Sequence, residues 1–288
     1  MIGVYDSGFG GLTVLRALRA RLPEPDYLYL GDSGRAPYGG RDVDTLLTFA
    51  EQCVERLFDE GCALVVVACH TVSCVALRHL QQRYIQDGSG DARRILGVTI
   101  PTAEAAVAGS SGPIAVLGTA RTVASGTFAA EIHKLDPTRA VVQRAAPLWA
   151  PMVEEGLCDG PLARLAVRHS LDGLAECPTL VLGCTHYPLL ASLIREEVGA
   201  ASTVLDPSAA IADATARWLE RHPTFGARVG TGGGLRIACT GDPAPFRTLG
   251  ARFYGEPLPA VEHVAEEAGR LMPRAEPAAP RGQVVRAR

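Results

Sequence analysis

The chain has 288 residues, 47% of them apolar and 20% charged, with a formal net charge of −3 at neutral pH. That length accommodates two ordinary domains or one large one, and the composition is that of a globular protein, which excludes disorder in bulk. The slight negative balance gives no reason to expect nucleic acid as a direct ligand.

No apolar window reaches the roughly 18 residues that a membrane-spanning helix needs, so no membrane association is expected. The start, "MIGVYDSGFGG", lacks the basic region and long apolar core of a signal peptide and reads as a strand beginning almost at residue 1. Eight cysteines without an export signal then point to free thiols in a reducing cytoplasm, not to a disulfide framework. Cys53, Cys62, Cys158 and Cys177 are expected to serve as small buried apolar side chains.

Along the chain the pattern is strand then helix. "IGVYD" is a strand entering a Gly-rich turn, and Leu12, Leu15, Leu18 and Leu22 follow with helical spacing. "DYLYLGD" is the next strand, and "VDTLLTFAEQCVERLFDEG" is an amphipathic helix closed by a glycine. "CALVVVAC" reads as a strand buried on both faces, followed by a helix over Val72–Tyr84 and a polar loop, "QDGSGDARR".

The theme then restarts. "ILGVTIP", "PIAVLGT", "AVVQRAAPL" and "TLVLGC" are predicted strands; "PTAEAAVA", "SGTFAAEIHKL" and "GPLARLAVRHSLDGL" are predicted helices. A helix over Ala209–Arg221, a turn "VGTGGG", a strand "LRIACTGD" and a helix over Ala260–Leu271 complete the folded part. Such alternation indicates an α/β fold of mostly parallel sheets flanked by helices. From Pro273 the Pro/Ala/Arg-rich run lacks periodicity, and residues 273–288 are expected to be a disordered tail.

The turn "DSGFGG" invites a nucleotide reading, but Thr13 stands where the last glycine of G-x-G-x-x-G belongs, and Asp6 would repel a phosphate. Two readings stay open there. One is a tight turn into a helix with Ser7 as cap; the other is a carboxylate and a hydroxyl presented at the carboxyl end of a parallel strand, where α/β clefts lie.

Cys69 and His70 would have to touch to act as a nucleophile and its base, and neighbours on a strand point to opposite faces. Zinc spacing is absent, and no metal site is expected. By itself a cysteine at a strand end is usually core. A second strand, "LVLGCTHYPLL", changes that reading, because Cys184 ends it as Cys69 ends the first, each in a short run with a threonine. Matched cysteines from two similar domains would face each other across a cleft. Opposed thiols suit proton transfer at one carbon from either face, with His186 and Asp6 available to tune them.

At this point the chain resembles the glutamate racemases of the aspartate/glutamate racemase superfamily. The resemblance lies in "GVYDSGFGGLTV", "YLGDSGRAPYG", "VVVACHTVS", "PIAVLGTARTVASGTF", "APMVEEG", "LGCTHYPLL" and "CTGDPAPF", from about residue 2 to 256. "GCTH" in place of "GCTE" favours the glutamate branch over the aspartate one. The resemblance implies two pseudo-symmetric α/β domains, residues 1–95 with 207–272 and residues 96–206, with the active site between them. It implies racemisation of glutamate without a cofactor, supplying D-glutamate for peptidoglycan, and is compatible with a homodimer.

By the same resemblance Cys69 and Cys184 would be the acid/base thiols, assisted by Asp6 and His186. Ser7, Tyr38, Gly39, His70, Thr71 and Thr185 would hold the amino-acid substrate, with Asp32, Glu154 and Thr119 nearby. One departure matters: the family usually reads Ala-Cys-Asn-Thr where this chain has "ACHT". A cationic His70 would hold a carboxylate and favour the Cys69 thiolate; equally, His70 could crowd the substrate or trap that thiolate in an inert ion pair. A racemase of another amino acid is therefore the second reading. A third is a low-turnover relative acting by protein contact, as in DNA gyrase binding, against which the retained thiols speak.

Overall fold

The computed structural model describes residues 1–85 and 93–274. The first run of elements is β1 (Ile2–Asp6), α1 (Leu12–Arg21), β2 (Tyr27–Gly31), α2 (Val43–Asp59), β3 (Leu64–Val67), α3 (His70–Val75), α4 (Leu77–Tyr84) and β4 (Arg94–Gly97). Next come α5 (Thr99–Ala108), β5 (Ile114–Gly118), α6 (Ala120–Ala124), α7 (Thr127–Leu135), β6 (Val141–Ala145), α8 (Trp149–Glu154), α9 (Gly160–Leu171), β7 (Thr179–Gly183), α10 (Ala191–Val198) and β8 (Thr203–Leu205). The chain closes with α11 (Ser208–Arg221), α12 (Pro223–Gly226), β9 (Leu235–Cys239), α13 (Pro243–Tyr254), β10 (Val261–Glu267) and β11 (Arg270–Pro273).

The apolar runs of β1, β2, β3, β5 and β7 are buried along their whole length, the condition of parallel strands covered by helices on both faces. They form two sheets, ordered β11-β10-β9-β2-β1-β3-β4 and β6-β5-β7-β8. Among the described residues only β10 and β11 pair antiparallel. The helix α2 shows how local sequence seats these layers. The Asp42 carboxylate accepts the Thr45 amide at its start, and Leu46, Ala50, Cys53, Val54 and Leu57 bury one face. Gly61, at φ +84°, ends it as expected.

Strands β1–β4 take the spatial order second, first, third, fourth, and β5–β8 repeat it. In each half the chain leaves its first strand to one side and returns on the other. The crevice at the carboxyl ends of the first and third strands is then a topological switch point, where open α/β sheets hold ligands. β3 and β7 are counterparts under this repeat. The residues just beyond them, Cys69 and Cys184, are therefore counterparts too.

Several expectations need correction. The helix over 72–84 is two helices, interrupted at Ala76. "ILGVTIP" is a strand only as far as Gly97, after which its second half opens α5, and β4 pairs with β3. The first sheet thus runs past residue 95. The expected helix over 260–271 is the β10–β11 hairpin, turned at Ala268 and Gly269, both with positive φ. Ala and Glu favour a helix, but parallel pairing of β10 with β9 decides against it. Pro273 belongs to β11, and residues 275–288 of the expected tail lie outside the described residues, as do residues 86–92 of the polar loop. Cys53, Cys62 and Cys177 are buried, whereas Cys158 is only half-buried, in the loop before α9 near Arg252.

The helix α13 was not expected, although its start is signalled by Asp242–Pro243, a capping residue followed by proline in the first turn. The Asp242 carboxylate accepts the Ala244 amide at 2.9 Å, and the helix buries Phe246, Phe253 and Tyr254. Asp242→Ala is expected to cost about 1 kcal/mol and to lower the melting temperature by about 2–4 °C, as followed by circular dichroism.

Candidate active site

The strand ends at the two switch points supply one cleft. β1 delivers Ser7 and Gly8, the β2–α2 loop delivers Tyr38 and Gly39, and the turn after β3 delivers Cys69, His70 and Thr71. From the other sheet come Thr119 after β5, Ala150 and Glu154 on α8, and Cys184, Thr185 and His186 after β7. The free space between these groups is about 40 Å³. Larger hollows of about 470 and 380 Å³ lie along α4, β4 and α11 and contain none of these groups. Convergence of polar side chains, not size, marks the site.

The cleft is drawn tight by close approach of the two halves. A β-carbon on Gly10 would sit 2.2 Å from Thr185 Oγ1 and 2.7 Å from His186 Nδ1, so the backbone passes there only as glycine. At the rim the Arg121 amide donates to the Gly39 carbonyl at 3.1 Å, and Arg121 Nε donates to the Arg41 carbonyl at 2.9 Å. Between them the hydroxyls of Thr71 and Thr119 meet at 3.0 Å, and each reaches Thr122.

The two thiols are buried in unlike surroundings. Cys69 Sγ lies 3.5 Å from Ser7 Oγ. Burial first, then the Asp6 carboxylate, pushes the Cys69 thiol up to about 12, so this sulfur holds its proton. Cys184 Sγ lies 3.9 Å from His186 Nδ1, and His186 Nε2 lies 2.8 Å from Glu154 Oε1. Burial works against charge on His186, but the Cys184 sulfur and the Glu154 carboxylate outweigh it and raise the ring to about 10. An imidazolium therefore stands beside the Cys184 sulfur at neutral pH.

Asp6 and Asp32 stand behind the lining, not in it. Asp6 accepts the Gly8 amide at 3.0 Å and the Thr185 hydroxyl at 3.2 Å, and burial raises its carboxyl above the usual range. Ser7 does not cap α1, whose N-cap position is held by Gly11 with no side-chain cap. Asp32 accepts the Tyr38 hydroxyl, the Thr240 hydroxyl at 2.6 Å and Arg35 Nε at 2.8 and 2.9 Å. Tyr38 is thereby fixed with its hydroxyl turned to Asp32.

The Cys69–His70 pair sits at a strand-to-helix turn, so the alternation of a strand does not apply to it. Cys69 precedes the helix α3 and His70 opens it. The two side chains still part company: the His70 ring stacks on Phe128, and neither ring nitrogen has a partner among the described residues. A cationic His70 is not what the fold produces, because burial pushes it down to about 3. Gly8, Ala36, Pro37 and Ala150 also line the cleft and carry no side-chain chemistry that a sequence pattern could flag.

The fold and cleft define a class: a twice-wound α/β protein whose two switch points bring a pair of thiols into one closed crevice. No protein-family model matches the chain. The glutamate racemase of Syntrophus aciditrophicus is 40% identical to it over 91% of this chain and 96% of its own length. A glutamate racemase isoform from Bacillus anthracis superposes with a TM-score of 0.84 at 31% identity, covering 94% of this chain and 98% of that one. The Francisella tularensis glutamate racemase, solved in complex with D-glutamate, gives a TM-score of 0.81 at 28% identity over 92% and 97%. The chain belongs to the glutamate racemase family.

Proposed function

We propose that this protein interconverts L- and D-glutamate without a cofactor, by proton transfer between two thiols. The observation that carries the reading is that Cys69 and Cys184, counterparts in the repeated winding, line one cleft with opposite electrostatic settings. Each sheet with its helices is taken as a domain, residues 1–97 with 207–274 and residues 98–206. Among the described residues no helix is long and apolar enough to cross a membrane, and the proposed setting is the cytoplasm, where D-glutamate would feed peptidoglycan.

In one direction the Cys184 thiolate, beside the His186 imidazolium, takes the α-proton. The C–H electron pair stays on the substrate as a carbanion. The Cys69 thiol then gives its proton to the opposite face, leaving a thiolate there and a thiol at Cys184. The reverse reaction starts from that state. Asp6 and Glu154 act through the thiols and His186, whereas Ser7, Gly39, Thr71, Thr119 and Thr185 are the proposed substrate contacts.

With L-glutamate alone and no added cofactor, the optical signal at near-neutral pH is expected to decay to zero, followed by circular dichroism. A panel of amino acids resolved by chiral chromatography identifies the preferred substrate. A signal that never decays with glutamate overturns the reading.

A further inference from the structure

The loop between β2 and α2 brings Ala36, Pro37, Tyr38 and Gly39 to the cleft, and Arg35 stands one residue behind them, outside the lining. Its side chain is only 15% exposed. Nε donates to the two oxygens of Asp32 at 2.9 and 2.8 Å, Nη1 to the Gln52 side-chain carbonyl, and Nη2 to Cys53 Sγ at 3.5 Å. The guanidinium carbon lies 4.2 Å from the centroid of the Phe49 ring. On the outer side Gln52 Nε2 donates to the Gly269 carbonyl at 2.9 Å, which ties this cluster to the β10–β11 hairpin.

Asp32 is where the cation meets the cleft wall. Its carboxylate is fully buried, and besides Arg35 it accepts the Tyr38 hydroxyl and, at 2.6 Å, the Thr240 hydroxyl. A buried carboxylate persists as an anion only beside a compensating cation and with its lone pairs satisfied, and Arg35 supplies that cation. The buried Tyr38 is thus held by its hydroxyl, which also accepts the Tyr5 hydroxyl at 3.2 Å. Its ring packs on the same Phe49 that carries Arg35, centroids 5.7 Å apart. Nearer the start of the loop the Gly34 amide donates to the Thr240 hydroxyl at 3.0 Å. A guanidinium fixes direction as well as charge, because its donors form a rigid planar fork.

We propose that Arg35 is a positioning residue of this cleft: through Asp32 and Tyr38 it fixes the Tyr38–Gly39 wall against which an amino-acid substrate is bound. Without it the wall is free to shift, and binding weakens alike in the ground state and the transition state. The proposal rests on the racemase reading above and gives a role in it to a side chain outside the lining.

Arg35→Met tests it, because methionine keeps an apolar stem beside Phe49 and removes every side-chain donor. KM for both enantiomers of glutamate is expected to rise roughly fivefold to fiftyfold, with a much smaller change in kcat. A folded variant with a lower melting temperature and an unchanged KM overturns the proposal, since a purely structural role predicts that pair of results. Tyr38→Phe completes a double-mutant cycle. It is expected to raise KM by itself, and the double variant to raise it no further than the larger single change. Increases that multiply overturn the route through Tyr38. Should Arg35→Met not fold, Arg35→Lys decides, because lysine keeps a charge beside Asp32 but cannot span Asp32, Gln52 and Cys53 together. KM is then expected to rise roughly threefold or more, and a wild-type KM overturns the proposal. Wild-type turnover of glutamate is the control. Its absence refutes the racemase reading, whereas a racemising wild type matched in KM by the Arg35 variant refutes the Arg35 assignment alone.

Discussion

Cys69→Ser and Cys184→Ser are each expected to lower racemisation of glutamate by roughly 10²–10⁴-fold. Serine nearly matches cysteine in shape, so the buried sites should stay packed. Its hydroxyl, however, is a far weaker acid than a thiol. At Cys184 it cannot hold an anion beside the His186 imidazolium, and at Cys69 it cannot readily release a proton to a carbanion. Each variant keeps one thiol on one face. Exchange of the α-proton with D2O, without inversion, is therefore expected to survive for one enantiomer in each variant, and for opposite enantiomers in the two. Proton magnetic resonance reads exchange and circular dichroism reads inversion. Full racemisation by either variant would refute the two-thiol scheme.

His186→Gln is expected to lower kcat/KM by roughly 10–10³-fold and to change the alkaline limb of the pH profile. In the folded protein His186 is raised from its ordinary 6.5 to about 10, between the Cys184 sulfur and the Glu154 carboxylate. A group raised on folding stabilises the native state fully below its unfolded pKa, and that contribution is lost as pH rises through the folded value. Wild-type activity and melting temperature should thus both decline from near neutrality toward about pH 10 as the imidazolium loses its proton. Glutamine fills similar space and does not titrate, so the part of the decline owed to His186 should vanish. Parallel pH series of kcat/KM and of thermal melts check both expectations.

The thiol pair was legible because parallel strands buried on both faces print as unbroken apolar runs, and two such runs end in cysteine. The repeated winding explains why those two ends correspond. Glu154 and Thr119 carry no pattern of their own, and their nearness to the cleft came through family resemblance alone. The charge state of His70 was illegible for a physical reason: it depends on Phe128, distant in sequence, and on burial that only the assembled halves create. The β10–β11 hairpin was missed for a related reason. Its residues favour a helix locally, and a strand becomes the better state only when β9 offers an edge to pair with.

The tightness of the cleft also bears on time. With a free space of about 40 Å³ between its walls, entry of an amino acid is expected to loosen the Arg121 contacts to Gly39 and Arg41. Association that waits on such a rearrangement is slower than diffusion permits. Compounds shaped like the substrate will therefore arrive slowly and leave slowly, however well they fit. An inhibitor of this protein is better ranked by residence time than by potency measured after brief mixing.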